Sequence, residues 1–180
     1  ILSGHPTIEV PGIEVNTGAL GHGLSIGVGM ALAAKMNHQS YKTYVLMGDG
    51  EQGEGSIYEA AMAAHQYKLD NLVAIIDRNR LQISGTTEEV MAIEDIYQRW
   101  TALGWDVKHM NGDDIEDIVH CFSEIDFESK RPHLLISHTT KGKGVSYMEN
   151  VTKWHHGVPN QEEFDLAIKE ISERIATLEK

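Results

Sequence analysis

Two short stretches of this sequence combine glycine, carboxylate and carboxamide in a way that suits a hard cation and a phosphate group. The first is Gly48-Asp49-Gly50-Glu51-Gln52-Gly53-Glu54-Gly55. Its glycines let the backbone approach a ligand closely. A helix expected from about Ser56, with Ser56 as its N-cap, would offer free N–H groups to an anion. The second is Asp77-Arg78-Asn79-Arg80-Leu81-Gln82-Ile83-Ser84-Gly85, in which Asn79 can supply an amide oxygen. Taken singly, each reads equally well as a turn, because Asp-Gly and Asn both favour turns. The pair is more specific. Asp49 and Asn79 are 30 positions apart, the length of one strand–helix–strand unit, and a parallel sheet sets the two strand ends of such a unit side by side. A carboxylate and a carboxamide there can share one Mg2+, which prefers octahedral oxygen ligands and keeps phosphate oxygens among them. An EF-hand is excluded by the order of the residues.

The elements that must position these loops are legible as alternating patterns. Apolar runs at 43–47, 72–76, 105–110 and 133–137 read as strands. Helical stretches are expected at 24–36, 56–67, 93–103 (closed by Gly104), 114–125 (opened by an Asp pair) and 161–178, the last with Phe164, Leu166, Ile168, Ile171 and Ile175 spaced for one apolar face. Strands that are apolar on both faces, alternating with helices, imply an α/β fold: a doubly wound, mostly parallel sheet with helices on both faces. One domain over residues 1–180 is expected. Ligands in such sheets bind outside the carboxyl ends of the strands, so the loops after Met47, Ile76 and Ser137 are where chemistry is sought. The segment 139–160 reads as a long functional loop.

Composition narrows the classes. Lys plus Arg number 15 against 27 Asp plus Glu, a net charge of −12, which disfavours a nucleic-acid partner. No apolar run approaches the roughly 20 residues of a membrane helix, so no membrane partner is expected. Cys121 is the one cysteine. It fits no metal or redox pattern and reads as a buried helix thiol, consistent with a reducing, cytoplasmic setting. No secretory pattern marks the first residues, and the opening without Met reads as part of a longer chain.

Gly48-Asp49-Gly50 followed by Asn79 resembles the metal motif of thiamine-diphosphate enzymes. Ser3-Gly4-His5-Pro6, the run from Pro11 to Ser25 containing Thr17-Gly18-Ala19-Leu20-Gly21-His22, Thr139-Thr140-Lys141-Gly142-Lys143-Gly144 and Trp154-His155-His156-Gly157 all resemble transketolases. The resemblance is colinear from Ser3 to about Pro159 and implies the diphosphate-binding (PP) domain of that fold. It implies that Asp49, Asn79 and the Leu81 carbonyl hold Mg2+ (or Ca2+ or Mn2+), that Gly50 and Lys141 reach the diphosphate, and that Gly18, Leu20 and Ile83 lie against the cofactor rings. By the same resemblance His5 faces the sugar, a histidine after Trp154 contacts diphosphate or substrate, with His156 preferred to His155, and Glu54 and Glu59 lie toward a partner. Ala19 and His22 depart from the family, which usually has Pro and often Gln there; His22 is carried as a further candidate catalytic residue.

The family activates the cofactor with a glutamate of a second, pyrimidine-binding domain, and no such domain is visible here. The resemblance therefore implies the amino-terminal subunit of a split transketolase, acting on sugar phosphates of the pentose-phosphate kind. It would be active only with a carboxyl-terminal pyrimidine-binding subunit or domain, as a homo- or heterodimer or tetramer. Alternatives are deoxyxylulose-phosphate synthase, a 2-oxo-acid dehydrogenase component, a transketolase for a sulfo- or branched sugar, or a cofactor-binding subunit that has lost activity.

Overall fold

The computed structural model describes residues 4–178; Ser3 of the Ser3–Pro6 segment lies outside it. Four parallel strands form one sheet in the order β1-β2-β6-β5: β1 Thr43–Gly48, β2 Leu72–Arg78, β5 Asp106–Asn111 and β6 His133–His138. Their carboxyl ends are in register. Gly48 is opposite Asp77, Asp77 opposite Ser137, and Arg78 opposite His138. The expected α/β class and parallel sheet are thus observed.

The core divides by the two-residue period of the strands. Leu72, Ala74 and Ile76 of β2 point to a large apolar cluster with helices α1 (Gly23–Met36), α2 (Gly55–Gln66) and α4 (Ile96–Ala102). In it Trp100 and Trp105 meet edge to face at 4.7 Å, and the Trp105 indole N–H donates to the Ala61 carbonyl. Val73 faces the other side, with Leu135, Met110 and Cys121 and Ile125 from and beyond α5 (Ile115–Ser123). Cys121 is the buried helix thiol that the sequence suggests. Helix α1 lies close on β1 because Gly27 has no side chain: a Cβ there would sit 2.4 Å from a Val45 methyl.

Five details differ from the sequence expectations. Helix α2 begins at Gly55 with Glu54 at its N-cap, and the Ser56 hydroxyl donates instead to the Gly21 carbonyl. Helix α4 begins at Ile96, where the Asp95 carboxylate caps the Gln98 N–H, rather than at 93. A hairpin, β3 (Leu81–Gln82) with β4 (Gly85–Thr86), and a short capped helix α3 (Thr87–Val90) fill the segment after β2. Edge strand β1 is covered on one side only, leaving Tyr44 and Leu46 exposed. The apolar residues of α6 (Gln161–Leu178) are also exposed, with Ala167 its buried residue.

Candidate functional site

Strand ends and loops converge at the carboxyl edge of β1, β2 and β6. Asp49 follows directly on β1 and is 2% exposed. Its Oδ2 accepts from Arg78 Nη1 at 2.9 Å and from the Arg80 backbone N–H at 2.6 Å, while its own N–H donates to the Asp77 carbonyl. No hydrogen bond to Oδ1 is made among the described residues. Through the Arg80 N–H, the loop that carries Asn79 meets Asp49. The Asn79 Oδ1 accepts from the Leu81 N–H at 3.0 Å, a local turn that fixes the carboxamide oxygen. Among the described residues no cluster of three His, Cys, Asp or Glu side chains could hold a metal. A cation here would need carboxamide and carbonyl oxygens as well, and those suit a hard ion rather than zinc.

Arg78 is the unanticipated member. Its guanidinium, 1% exposed, also donates to Thr87 Oγ1 at 2.8 Å, to Glu94 at 2.6 Å and to Glu88 at 3.4 Å. Burial alone would lower its pKa, but the hydrogen bonds to Glu94 and Asp49 and their charges outweigh that and raise it. The bond to Arg78 holds Glu94 below the ordinary carboxylate range, against the opposing effect of its own desolvation. A depressed folded-state pKa contributes stability above the unfolded value and loses it as pH falls through the folded one. Thermal melts from pH 7 to 3 should therefore show stability declining below about pH 4.3, the ordinary glutamate value. In Glu94→Gln the melting temperature should be lower at pH 7 and the acid decline shallower; an unchanged slope would remove Glu94 from the network's acid response.

Other candidates lie on loops that touch the Asp49 loop: Gly21 bonds Glu51, and Gln82 stands beside Gly50. Gly50 opens a 3-10 turn, Gly50–Gly53. Ile83, 61% exposed, is at the tip of the β3–β4 hairpin, and Leu20 is 57% exposed. The His5 ring lies against Gly18, 3.4 Å from where a Cβ would stand, and the Thr17 N–H donates to the Pro6 carbonyl. His22 Nδ1 is 2.9 Å from the Leu20 carbonyl. A pocket of about 180 Å3 is lined by Asn16, Thr17, Gly18, Ala19, His22 and Ile26. A larger groove, about 710 Å3, runs beside β1 past Tyr44 and Leu46 and is lined by none of the candidate residues.

The loop 139–160 is held in place by its own side chains. Thr139 donates to Asp77, Thr140 to Asp113, and the Ser146 hydroxyl and N–H to Glu170 of α6. Trp154 donates its indole N–H to the Tyr147 carbonyl, and the Tyr147 hydroxyl bonds the Glu163 carbonyl. The turn Thr152–His155 packs on β3, next to Leu81. His155 and His156 meet edge to face at 4.6 Å. Loss of solvation and then the Lys141 ammonium hold His155 below the ordinary imidazole range. Glu54 and Glu59 are exposed.

Arg78 was legible in principle. It continues the inward-facing series Leu72, Ala74, Ile76, so a charge at that position needed buried acidic partners. Glu51 and Ser56, which bond Gly21, carry no sequence signal, because their partner is backbone from another loop.

The family model "Transketolase, thiamine diphosphate binding domain" matches residues 2–173. A subunit of the apulose-4-phosphate transketolase of Phocaeicola vulgatus is 77% identical over 180 residues, all of this chain and 64% of its own length. The subunit of the same name from Actinobacillus succinogenes is 47% identical, over 96% of this chain and 62% of its own. The chain thus spans a little under two thirds of the length of these curated relatives. The solved transketolase of Campylobacter jejuni superposes with a TM-score of 0.83 at 36% identity, over 92% of this chain and 27% of that one. The Pichia stipitis complex with sedoheptulose 7-phosphate gives 0.79 at 33%, over 88% and 25%. By fold and by sequence, the chain belongs to the transketolase family, as its thiamine diphosphate-binding domain.

Proposed function

We propose that the full-length protein is the amino-terminal subunit of a two-subunit transketolase for a branched-sugar phosphate of the apulose 4-phosphate type. The observation that carries this reading is the 77% identity, across the whole chain, to a transketolase subunit named for that sugar. The reaction passes a two-carbon ketol unit from a ketose phosphate to an aldose phosphate. The relatives named for apulose 4-phosphate and for 6-deoxy-6-sulfo-D-fructose turn the proposal away from the ordinary pentose phosphates. The sulfofructose relative is 38% identical over 89% of this chain, and its sugar is the second choice.

The donor set fits the cofactor and its cation. Asp49 Oδ1, the Asn79 carboxamide oxygen and the Leu81 carbonyl would hold Mg2+, with Ca2+ or Mn2+ as substitutes. Gly50 and Lys141 would hold the diphosphate. The exposed Leu20 and Ile83, with Gly18, supply apolar surface for the rings. His5, His22 and the His155–His156 pair would face the sugar, where an imidazole can accept or pass a proton. Thiamine diphosphate, when bound, supplies the electron sink that ketol transfer needs. A carboxyl-terminal, pyrimidine-binding subunit would complete the site against Glu54 and Glu59, in an assembly with two copies of each chain. A cytoplasmic setting fits the single, buried thiol.

The test is reconstitution of the full-length protein with candidate pyrimidine-binding chains from the same source. Ketol transfer should require both chains, thiamine diphosphate and Mg2+. Turnover of apulose 4-phosphate should exceed that of xylulose 5-phosphate and 6-deoxy-6-sulfofructose. Equal or faster turnover of xylulose 5-phosphate would overturn the sugar assignment, and activity without a second chain would overturn the split-enzyme reading.

A further inference from the structure

Gly21 is held from both sides by the loop that carries Asp49. Its N–H donates to Glu51 Oε1 at 2.7 Å, and its carbonyl accepts from the Ser56 hydroxyl at 2.7 Å. The second oxygen of Glu51 accepts from the Gly48 N–H at 3.2 Å, at the end of β1. One carboxylate thus ties the Gly18–Gly21 loop to the strand end from which Asp49 projects. The fit is close: Gly21 has φ +81°, and a Cβ there would lie 2.5 Å from Ser56 Oγ and 2.8 Å from Glu54 Cβ. Among the described residues, residues 16–20 also make hydrogen bonds with Pro6, Ile8 and His22.

Resting on the cofactor reading above, we propose that Glu51 and Ser56 are positioning residues. They set the span between the ring-facing loop (Gly18, Leu20) and the diphosphate-facing loop (Gly50), and so decide how well a two-ended ligand is gripped at both ends. A ligand gains affinity from two contacts at once only when their separation is fixed before binding. With the rivet at Gly21 cut, the ring-facing loop still exists but no longer stands at the right distance. The diphosphate loop, built on Asp49 and Asn79, keeps its own anchors through Arg78 and the Arg80 N–H.

That asymmetry supplies a readout that a merely structural role would not move. The affinity of thiamine diphosphate, and separately of inorganic diphosphate, is measured with Mg2+ on the full-length protein assembled with its partner. Glu51→Ala should weaken thiamine diphosphate tenfold or more but inorganic diphosphate less than threefold. Ser56→Ala, which removes one hydroxyl and spares the fold, should weaken thiamine diphosphate three- to tenfold and leave inorganic diphosphate unchanged. Glu51→Gln keeps one acceptor oxygen where the bridge uses two and sets an NH2 donor against the other N–H, so it should recover part of the loss, not all of it. Equal weakening of both ligands, or no weakening of thiamine diphosphate in either alanine variant, would overturn the positioning role. Wild-type protein that binds neither ligand while folded would instead sink the cofactor reading, and this inference with it.

Discussion

Asp49→Ala will abolish cation-dependent binding of thiamine diphosphate, by about 100-fold or more (about 3 kcal/mol), and will destabilise the fold by about 3 kcal/mol. Both effects follow from one side chain. Asp49 is buried, its Oδ2 is bonded to Arg78 and to the Arg80 N–H, and Oδ1 is the oxygen proposed to meet the cation. Removing the carboxylate would delete the anionic member of the proposed ligand set and leave a buried guanidinium short of a partner. Glu94 and Thr87 still accept from Arg78, which keeps the stability loss toward the lower end for a broken buried pair. Asp49→Asn separates the two roles. It keeps an acceptor oxygen in nearly the same shape, so stability falls less, whereas the lost charge still costs cation affinity. Calorimetric titration with and without Mg2+, alongside urea unfolding, reads both quantities. Wild-type affinity in Asp49→Ala would remove Asp49 from the cation site. Lost binding at unchanged stability would show that the fold does not rely on the Asp49–Arg78 pair.

The sheet was legible because its signal is strong and local. Runs such as Leu72–Ile76 are too short and too β-branched to be helix, and their alternation with helical stretches leaves few topologies. The candidate site was legible for the same reason. Asp49 and Asn79 lie at strand ends, and a parallel sheet fixes where strand ends meet. What the sequence hid depends on contacts between segments. Ser56 has the composition of a helix cap, yet its hydroxyl is drawn to the Gly21 carbonyl, and Glu54 takes the cap position. The pattern in α6 is amphipathic, but periodicity reports only that one face is apolar. It does not say what covers that face, and within residues 4–178 the stripe from Phe164 to Leu178 stays exposed. The β3–β4 hairpin is two residues a side, below the length at which alternation can be read.

Arg78→Met is the second large effect, and its value lies in separating stability from function. Met fills much of the arginine's volume and gains about 1.5–3 kcal/mol from apolar burial. Against that stands Asp49, left 2% exposed with the Arg80 N–H as its remaining donor, at about 3–5 kcal/mol for an uncompensated buried charge. Glu88 and Glu94 are more than two-fifths exposed and can turn to water at little cost. The net expectation is destabilisation by about 2 kcal/mol. Because a divalent cation can take the guanidinium's place as counterion to Asp49, millimolar Mg2+ should raise the melting temperature of Arg78→Met more than that of the wild type. Replacing the pair together, Asp49→Leu with Arg78→Met, should bring stability back to within about 1 kcal/mol of wild type, since apolar replacements of buried ion pairs are often neutral. That double variant should bind no cation. Denaturant unfolding with and without Mg2+ reads all three proteins. Should Arg78→Met prove as stable as wild type without Mg2+, Asp49 is not a buried charge in need of a partner. A double variant that restores stability while losing the cation would show that the charged pair serves ligand binding rather than the fold.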